Sequence, residues 1–459
     1  MFNYRLLQSK LQSIGKWLYP GLGIKRWLLV FLCGLILFFW GLALFLGPEA
    51  FNSLSLRLQS LESYIGERSA EYGIFVLLSG IVLLLLGVQR LFRSVSSSCS
   101  LWHDRRSVEV LFNRRYLERG PKIVAIGGGT GLSTLLRGLK EYTSNITAVV
   151  TVTDDGGSSG RLRGELGILP PGDIRACLLA LADTEPLMES LFGYRFRRGK
   201  TLEGHSFGNI FIAAMTDILG FEAALQEFSK VLAVRGRVLP VTLDNIRLIA
   251  EDEQGKLIYG ETNISLSKVP IKRIFLDPPH CRPLPEVLQA IREADAIVMG
   301  PGSLLTSVLP NLLVPQIAEA IRESKAPRFY ICNIMTQAGE TDDFSAADHL
   351  ETLQRYAGRD LVDYIVVNTQ RFISRRVLER YHEEGAKIVD VDFARLNLLG
   401  IKILAAPLLN KEEVVRHDPH RLARLIMERI AKDQSSRERR FWEYSLYHIN
   451  GKLREKLRL

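Results

Sequence analysis

KIVAIGGGTGLSTLLRGLKEYTSNITAVVTVTDDGGSSG, residues 122–160, decides how the rest of the chain is read. It opens with a short β-branched run, Ile123 to Ile126, of the kind that forms a buried parallel strand. Glycines follow at 127, 128, 129 and 131, and then Leu132, Leu135, Leu136 and Leu139 fall on one helical face. A second apolar run, Ile146 to Val152, ends in Asp154, Asp155, Gly156, Gly157, Ser158, Ser159 and Gly160. Strand, glycine turn and helix in that order make an anion site. Glycine lets backbone approach a phosphate closely, and the first N–H groups of a helix lack intrahelical partners. The spacing is not the dinucleotide fingerprint: Leu132 stands where a third glycine belongs, which disfavours NAD.

Outward from this core the chain keeps an α/β rhythm. Pro170-Pro171-Gly172 breaks the chain ahead of a helix, with Asp173 at the expected N-cap and Arg175 beside it. Asp173 is then either a cap or a ligand contact. Gly204-His205-Ser206-Phe207-Gly208-Asn209 opens an apolar helix, which places His205 and Asn209 at a second candidate phosphate or ribose contact. Residues 234–276 alternate and turn around Gln254-Gly255, as a β-rich insertion would. Ala296 to Met299 then gives a strand, followed by Gly300-Pro301-Gly302-Ser303 and the helix-like LLTSVLPNLL. Further strands are expected at Arg328–Cys332, Tyr364–Val367, Lys387–Val391 and Lys402–Ala405, the first two ending at Asn333 and Asn368. Such strand ends are where open parallel sheets collect ligand contacts. An amphipathic helix, His420 to Ile430, closes the α/β domain, 121–433, ahead of a charged tail, 434–459.

The first 93 residues have a different composition. Trp27 to Leu46 carries no charge over twenty residues, and Tyr72 to Val88 none over seventeen, so a two-helix transmembrane hairpin is expected. Residues 1–26 hold five basic and no acidic side chains. The 47–71 loop holds two basic against four acidic, and Arg90 to Lys122 eight against three. By the positive-inside rule both ends of the hairpin face the cytoplasm, with a basic linker at 94–120. The formal net charge of +9 is also concentrated here: residues 1–122 hold 15 basic and 7 acidic groups. The body is nearly neutral, which argues against nucleic acid and assigns the basic flank to anionic lipid. Five cysteines without metal or CxxC spacing fit a reduced compartment.

GGGTG, DDGGSSG, PPGDIR, GHSFGN and GPGS, in that order, resemble the gluconeogenesis-factor (YvcK-type) branch of the CofD-like, 2-phospho-L-lactate transferase family, over roughly Lys122 to Asn410. The hairpin lies outside the resemblance, so the chain is similar to a membrane-anchored variant. The resemblance implies an open, doubly wound, Rossmann-like sheet with a ligand crevice between the first glycine loop and the GPGS loop. It further implies a UDP-sugar ligand such as UDP-N-acetylglucosamine, and a regulatory role in cell shape and envelope synthesis during gluconeogenic growth. Gly127, Gly128, Gly129, Thr130 and Gly131, with Gly300, Pro301, Gly302 and Ser303, would hold phosphates. Asp154 and Asp155 would stand where the transferases place acids facing magnesium. Asp173, His205 and Asn209 would line the same crevice. A homodimer with a partner in the envelope machinery is expected. The alternative is a metal-dependent transferase.

Overall fold

The computed structural model describes residues 24–46, 69–96, 117–183, 186–267, 269–371, 373–410 and 414–433. The chain divides into two compact units, 1–116 and 117–459.

The first unit contains helices Ile24–Leu46 and Ser69–Ser96. Glycines recur every seventh residue on each, at 34 and 41 and at 73, 80 and 87. A Cβ on Gly41 would lie 2.4 Å from the Leu77 nitrogen, and one on Gly80 2.5 Å from the Phe38 nitrogen. The antiparallel helices therefore touch backbone to backbone, a contact that small residues permit. Large apolar side chains, Leu29, Ile36, Phe39, Phe75, Leu78 and Leu85 among them, point outward. Among the described helices, Gly73–Arg90 is long and apolar enough to cross a bilayer, at a mean hydropathy of 2.1, whereas the apolar part of the first helix, Trp27–Leu42, is shorter. The inter-helix loop, most of the 94–120 linker and the 434–459 tail lie outside the described residues.

The second unit is built on a seven-stranded parallel sheet. Its strands are β1 (Ile123–Gly127), β2 (Ile146–Val150), β3 (Arg237–Pro240), β7 (Ala296–Met299), β8 (Arg328–Ile331), β9 (Tyr364–Asn368) and β10 (Lys402–Ala406). They run in the order β10-β9-β8-β7-β1-β2-β3. β1 pairs in parallel with both β2 and β7, and every residue of β1, β2 and β7 is buried. The chain grows from β1 in one direction, then returns to β7 on the other side and grows in the opposite one. The gap between β1 and β7 is thus the topological switch point, where open parallel sheets bind ligands. The leucines expected on one face of Gly129–Leu139 are all fully buried. That helix packs so closely on the last one, Pro419–Asp433, that a Cβ on Gly138 would lie 2.0 Å from the Pro419 carbonyl oxygen.

Four local expectations change. β3 belongs to the main sheet, because Arg237–Pro240 pairs with β2. The antiparallel insertion is therefore confined to β4 (Arg247–Asp252), β5 (Leu257–Tyr259), the helix Glu261–Ser265 and β6 (Ile271–Asp277). Lys387–Val391 forms no strand. It is extended but meets the 334–336 loop, with a single bridge from Ile388 to Met335, instead of a sheet strand. The DDGGSSG segment turns helical at Gly157, and the helix runs to Leu166. After the GPGS loop the chain makes a π-helical turn, Leu304–Val308, before the α-helix Leu309–Leu313.

Candidate functional site

The two glycine loops meet at the switch point. A Cβ on Gly131 would lie 2.4 Å from the Pro301 carbonyl oxygen and 2.9 Å from Gly302 Cα, so Gly131 is required by the packing of one loop on the other. Gly128, in extended conformation, is the N-cap of the helix Gly129–Leu139 and has no side chain with which to cap it. A Cβ there would meet Asp173 Oδ2 at 2.7 Å and Thr151 Cγ2 at 2.9 Å. Gly129 has φ +58°, a left-handed conformation that costs other residues about 1–2 kcal/mol. Thr130 is exposed at the start of the helix, and its carbonyl accepts from Ser133 and Thr134. Gly127 to Gly131 thus form one tight turn at the switch point, which opens into the start of this helix.

Asp173 is not an N-cap. It is the second residue of the helix Gly172–Leu181, whose cap is Pro171. From there its carboxyl accepts the Gly129 N–H. Burial, then the nearby Asp154, pushes its pKa up to about 7, against the opposing effects of that hydrogen bond and Arg175.

The acid pair splits. Asp154 Oδ1 accepts the Gly156 N–H at 2.9 Å, closing the turn into the helix Gly157–Leu166. Asp155 Oδ1 accepts the backbone N–H of Thr262 at 2.9 Å and its hydroxyl at 2.8 Å, tying the loop to the insertion. Gly157 has φ +46° and open space where a Cβ would be.

Ser158, His205, Asn209 and Arg175 converge as expected, but mainly on one another. Ser158 Oγ bonds His205 Nδ1 at 2.9 Å and accepts from Asn209 Nδ2 at 3.1 Å, while Arg175 Nε donates to Asn209 Oδ1 at 2.7 Å. Ser158, His205 and Asn209 are buried, and burial lowers the His205 pKa, favouring the neutral ring. Ser159 Oγ accepts the Gly172 N–H at 3.1 Å. These groups fix the loops from behind.

The GPGS loop is also internally engaged. Gly302 N–H donates to Asn333 Oδ1 at 3.4 Å, and the Ser303 hydroxyl donates to Glu340 Oε2. Glu340 further accepts from Ser265 Oγ at 2.8 Å, Thr306 Oγ1 at 3.4 Å and the Leu305 N–H. Burial raises its pKa in spite of those donors. Glu340, Thr262 and Glu261 were not legible as site residues, since no glycine loop or period marks them.

Comparison with known proteins places this geometry. Residues 123–409 match the family described as 2-phospho-L-lactate transferase CofD. A gluconeogenesis factor of Bacillus subtilis is 51% identical over 310 residues, covering 67% of this chain and 98% of its own. A Nostoc relative is 47% identical over 418 residues, covering 90% of this chain and 91% of its own. A crystal structure of a UPF0052-family protein from Bacillus halodurans superposes with a TM-score of 0.65 at 50% identity, covering 67% of this chain and 99% of that one. The divalent metal implied by the transferases does not fit the acid pair as it stands. Asp155 is turned to Thr262, and among the described residues no group of three His, Cys, Asp or Glu side chains is arranged to hold a metal ion. The five motifs, the switch-point loops and these relatives agree: the chain belongs to the CofD family, in the branch of the gluconeogenesis factors.

Proposed function

We propose that this protein is a nucleotide-sugar-binding regulatory factor for envelope synthesis and cell shape under gluconeogenic growth. The ligand class is a UDP-sugar such as UDP-N-acetylglucosamine. The observation that carries this reading is the contact of two glycine loops, Gly127–Gly131 and Gly300–Ser303, at the reversal of strand order, beside the start of the helix Gly129–Leu139. A phosphate laid across that start would meet N–H groups and the positive end of the helix dipole. Sensing needs binding and a shape change, with no nucleophile or general base. The insertion, hung on Asp155, is the element able to report an occupied crevice.

The N-terminal helices anchor the body to the plasma membrane in this reading, with the body in the cytoplasm. The support is the apolar Gly73–Arg90 helix, the glycine seam and the asymmetry of Lys and Arg. The runner-up is a magnesium-dependent transferase, favoured only by the acid pair's position after β2. Calorimetric titration of the full-length chain in detergent with UDP-N-acetylglucosamine, NAD and GDP, with magnesium and with chelator, separates the two. Binding of the UDP-sugar in chelator supports the sensor. Magnesium-dependent transfer of a phosphate-bearing group by the purified chain would overturn it.

A further inference from the structure

The insertion returns to the crevice through one short helix, Glu261–Ser265. Near its start, Thr262 makes its two bonds to Asp155. At its end, Ser265 donates to Glu340, the carboxylate that also holds Ser303 and Thr306. The helix thus spans from the acid-pair loop to the GPGS loop. Glu261, its first residue, takes part in neither tie. Its Oε2 is buried without a hydrogen-bond partner, and the charged groups around it are Asp154, Asp173, Glu340 and Asp155.

A buried polar atom left unpaired is costly, so its position calls for a partner from outside the chain. The surroundings narrow the chemistry of that partner. The acids beside Glu261, Asp154 and Asp155 among them, disfavour phosphate there, whereas hydroxyl groups both donate to carboxylates and accept from a protonated carboxyl. Phosphates belong on the Gly128–Gly131 side and hydroxyls on the acidic side.

We propose that Glu261 is a sugar-contacting residue that sets ligand specificity, its carboxyl pairing through Oε2 with a hydroxyl of the ligand's sugar. The assignment rests on the nucleotide-sugar reading above. Burial and the four neighbouring acids hold the Glu261 carboxyl well above its ordinary range, which favours the protonated form, a donor as well as an acceptor. As pH rises through that raised value the donor is lost, and a charge appears beside Asp154, Asp155, Asp173 and Glu340. Affinity for the sugar-bearing ligand should therefore fall as pH rises.

The test titrates the full-length chain in detergent with UDP-N-acetylglucosamine and with UDP, which lacks the sugar. Glu261→Ala should weaken UDP-N-acetylglucosamine by about tenfold or more, a loss of about 1.4 kcal/mol, and leave UDP unchanged. Glu261→Gln, which keeps a donor and an acceptor, should bind within about threefold of wild type, less than 1 kcal/mol, and lose the decline with rising pH. UDP-N-acetylglucosamine binding unaffected by Glu261→Ala, or equal losses for both ligands, would overturn the assignment while leaving the nucleotide-sugar reading intact. Failure of the wild-type chain to bind either ligand would overturn both.

Discussion

Asp155 and Thr262, 107 positions apart in sequence, are joined twice: one carboxylate oxygen takes both the backbone N–H and the hydroxyl of Thr262. Two adjacent acids thereby do different work. Asp154 shapes its own loop and faces Asp173, while Asp155 fastens the antiparallel insertion to the parallel sheet. The two acids, which the family resemblance would set facing magnesium, form a branch point between the acid-pair loop and the insertion.

That joint predicts the behaviour of Thr262→Val. The variant keeps the N–H bond and loses the hydroxyl bond, a loss of roughly 0.5–1.5 kcal/mol. Hydrogen exchange should quicken across residues 247–277 and remain unchanged in β1, β2 and β7. Unaltered exchange in the insertion would show that the joint carries no stability.

The glycine loop contains two glycines with different reasons to be there. Gly131→Ala drives a Cβ into the Pro301 carbonyl, an overpacking that costs about 1–3 kcal/mol. Gly129→Ala meets nothing nearer than Asp173 Oδ1 at 3.5 Å and bears chiefly the left-handed strain of about 1–2 kcal/mol. Chemical denaturation should rank Gly131→Ala as the more destabilised. The reverse order would place the loop contact elsewhere.

Asp173 gives the fold a pH signature. Its folded-state pKa, about 7, lies above the ordinary value of 3.8. Its contribution to stability is complete below the ordinary value and is lost as pH rises through 7. Asp173→Asn removes the ionisation and can still accept the Gly129 N–H. The melting temperature of the variant relative to wild type should climb between pH 5 and pH 8, by about 2 °C or more. A difference independent of pH would mean that Asp173 stays ionised throughout.

The hairpin is tested by topology. A reporter fused at residue 60 should be reached from outside the cell, and one fused at Leu459 should not. The opposite pattern would reverse the orientation derived from the Lys and Arg distribution.

How much was legible follows from which forces are local. β1, the leucine face of Gly129–Leu139 and the closing helix announced themselves through periods of burial, and all are present. The strand–loop–helix order was legible at both the GGGTG and GPGS loops, but their meeting was implied by the family resemblance alone. The helix from Gly157 was hidden because glycine and serine obscure helical propensity there, and the fold supplies the order instead. β3 was mistaken for part of the insertion because a four-residue strand carries no mark of its partner. Lys387–Val391 has the composition of a strand, but its backbone pairs with the 334–336 loop and the first residue of the helix Ala346–Ala357 and not with the sheet. Glu261, Thr262 and Glu340 enter the site through tertiary contacts spanning dozens of residues, for which a single sequence holds no local signal.

The central claim is that the switch-point crevice binds a nucleotide sugar without needing a metal. It is tested most directly by titrating UDP-N-acetylglucosamine into the full-length chain in chelator, beside Gly129→Val and Asp154→Asn. Wild type should bind, and Gly129→Val should lose about tenfold or more in affinity, about 1.4 kcal/mol, because a branched side chain stands where phosphate meets backbone. Binding that appears only with magnesium, accompanied by group transfer that Asp154→Asn abolishes, would contradict the account and make the protein an enzyme.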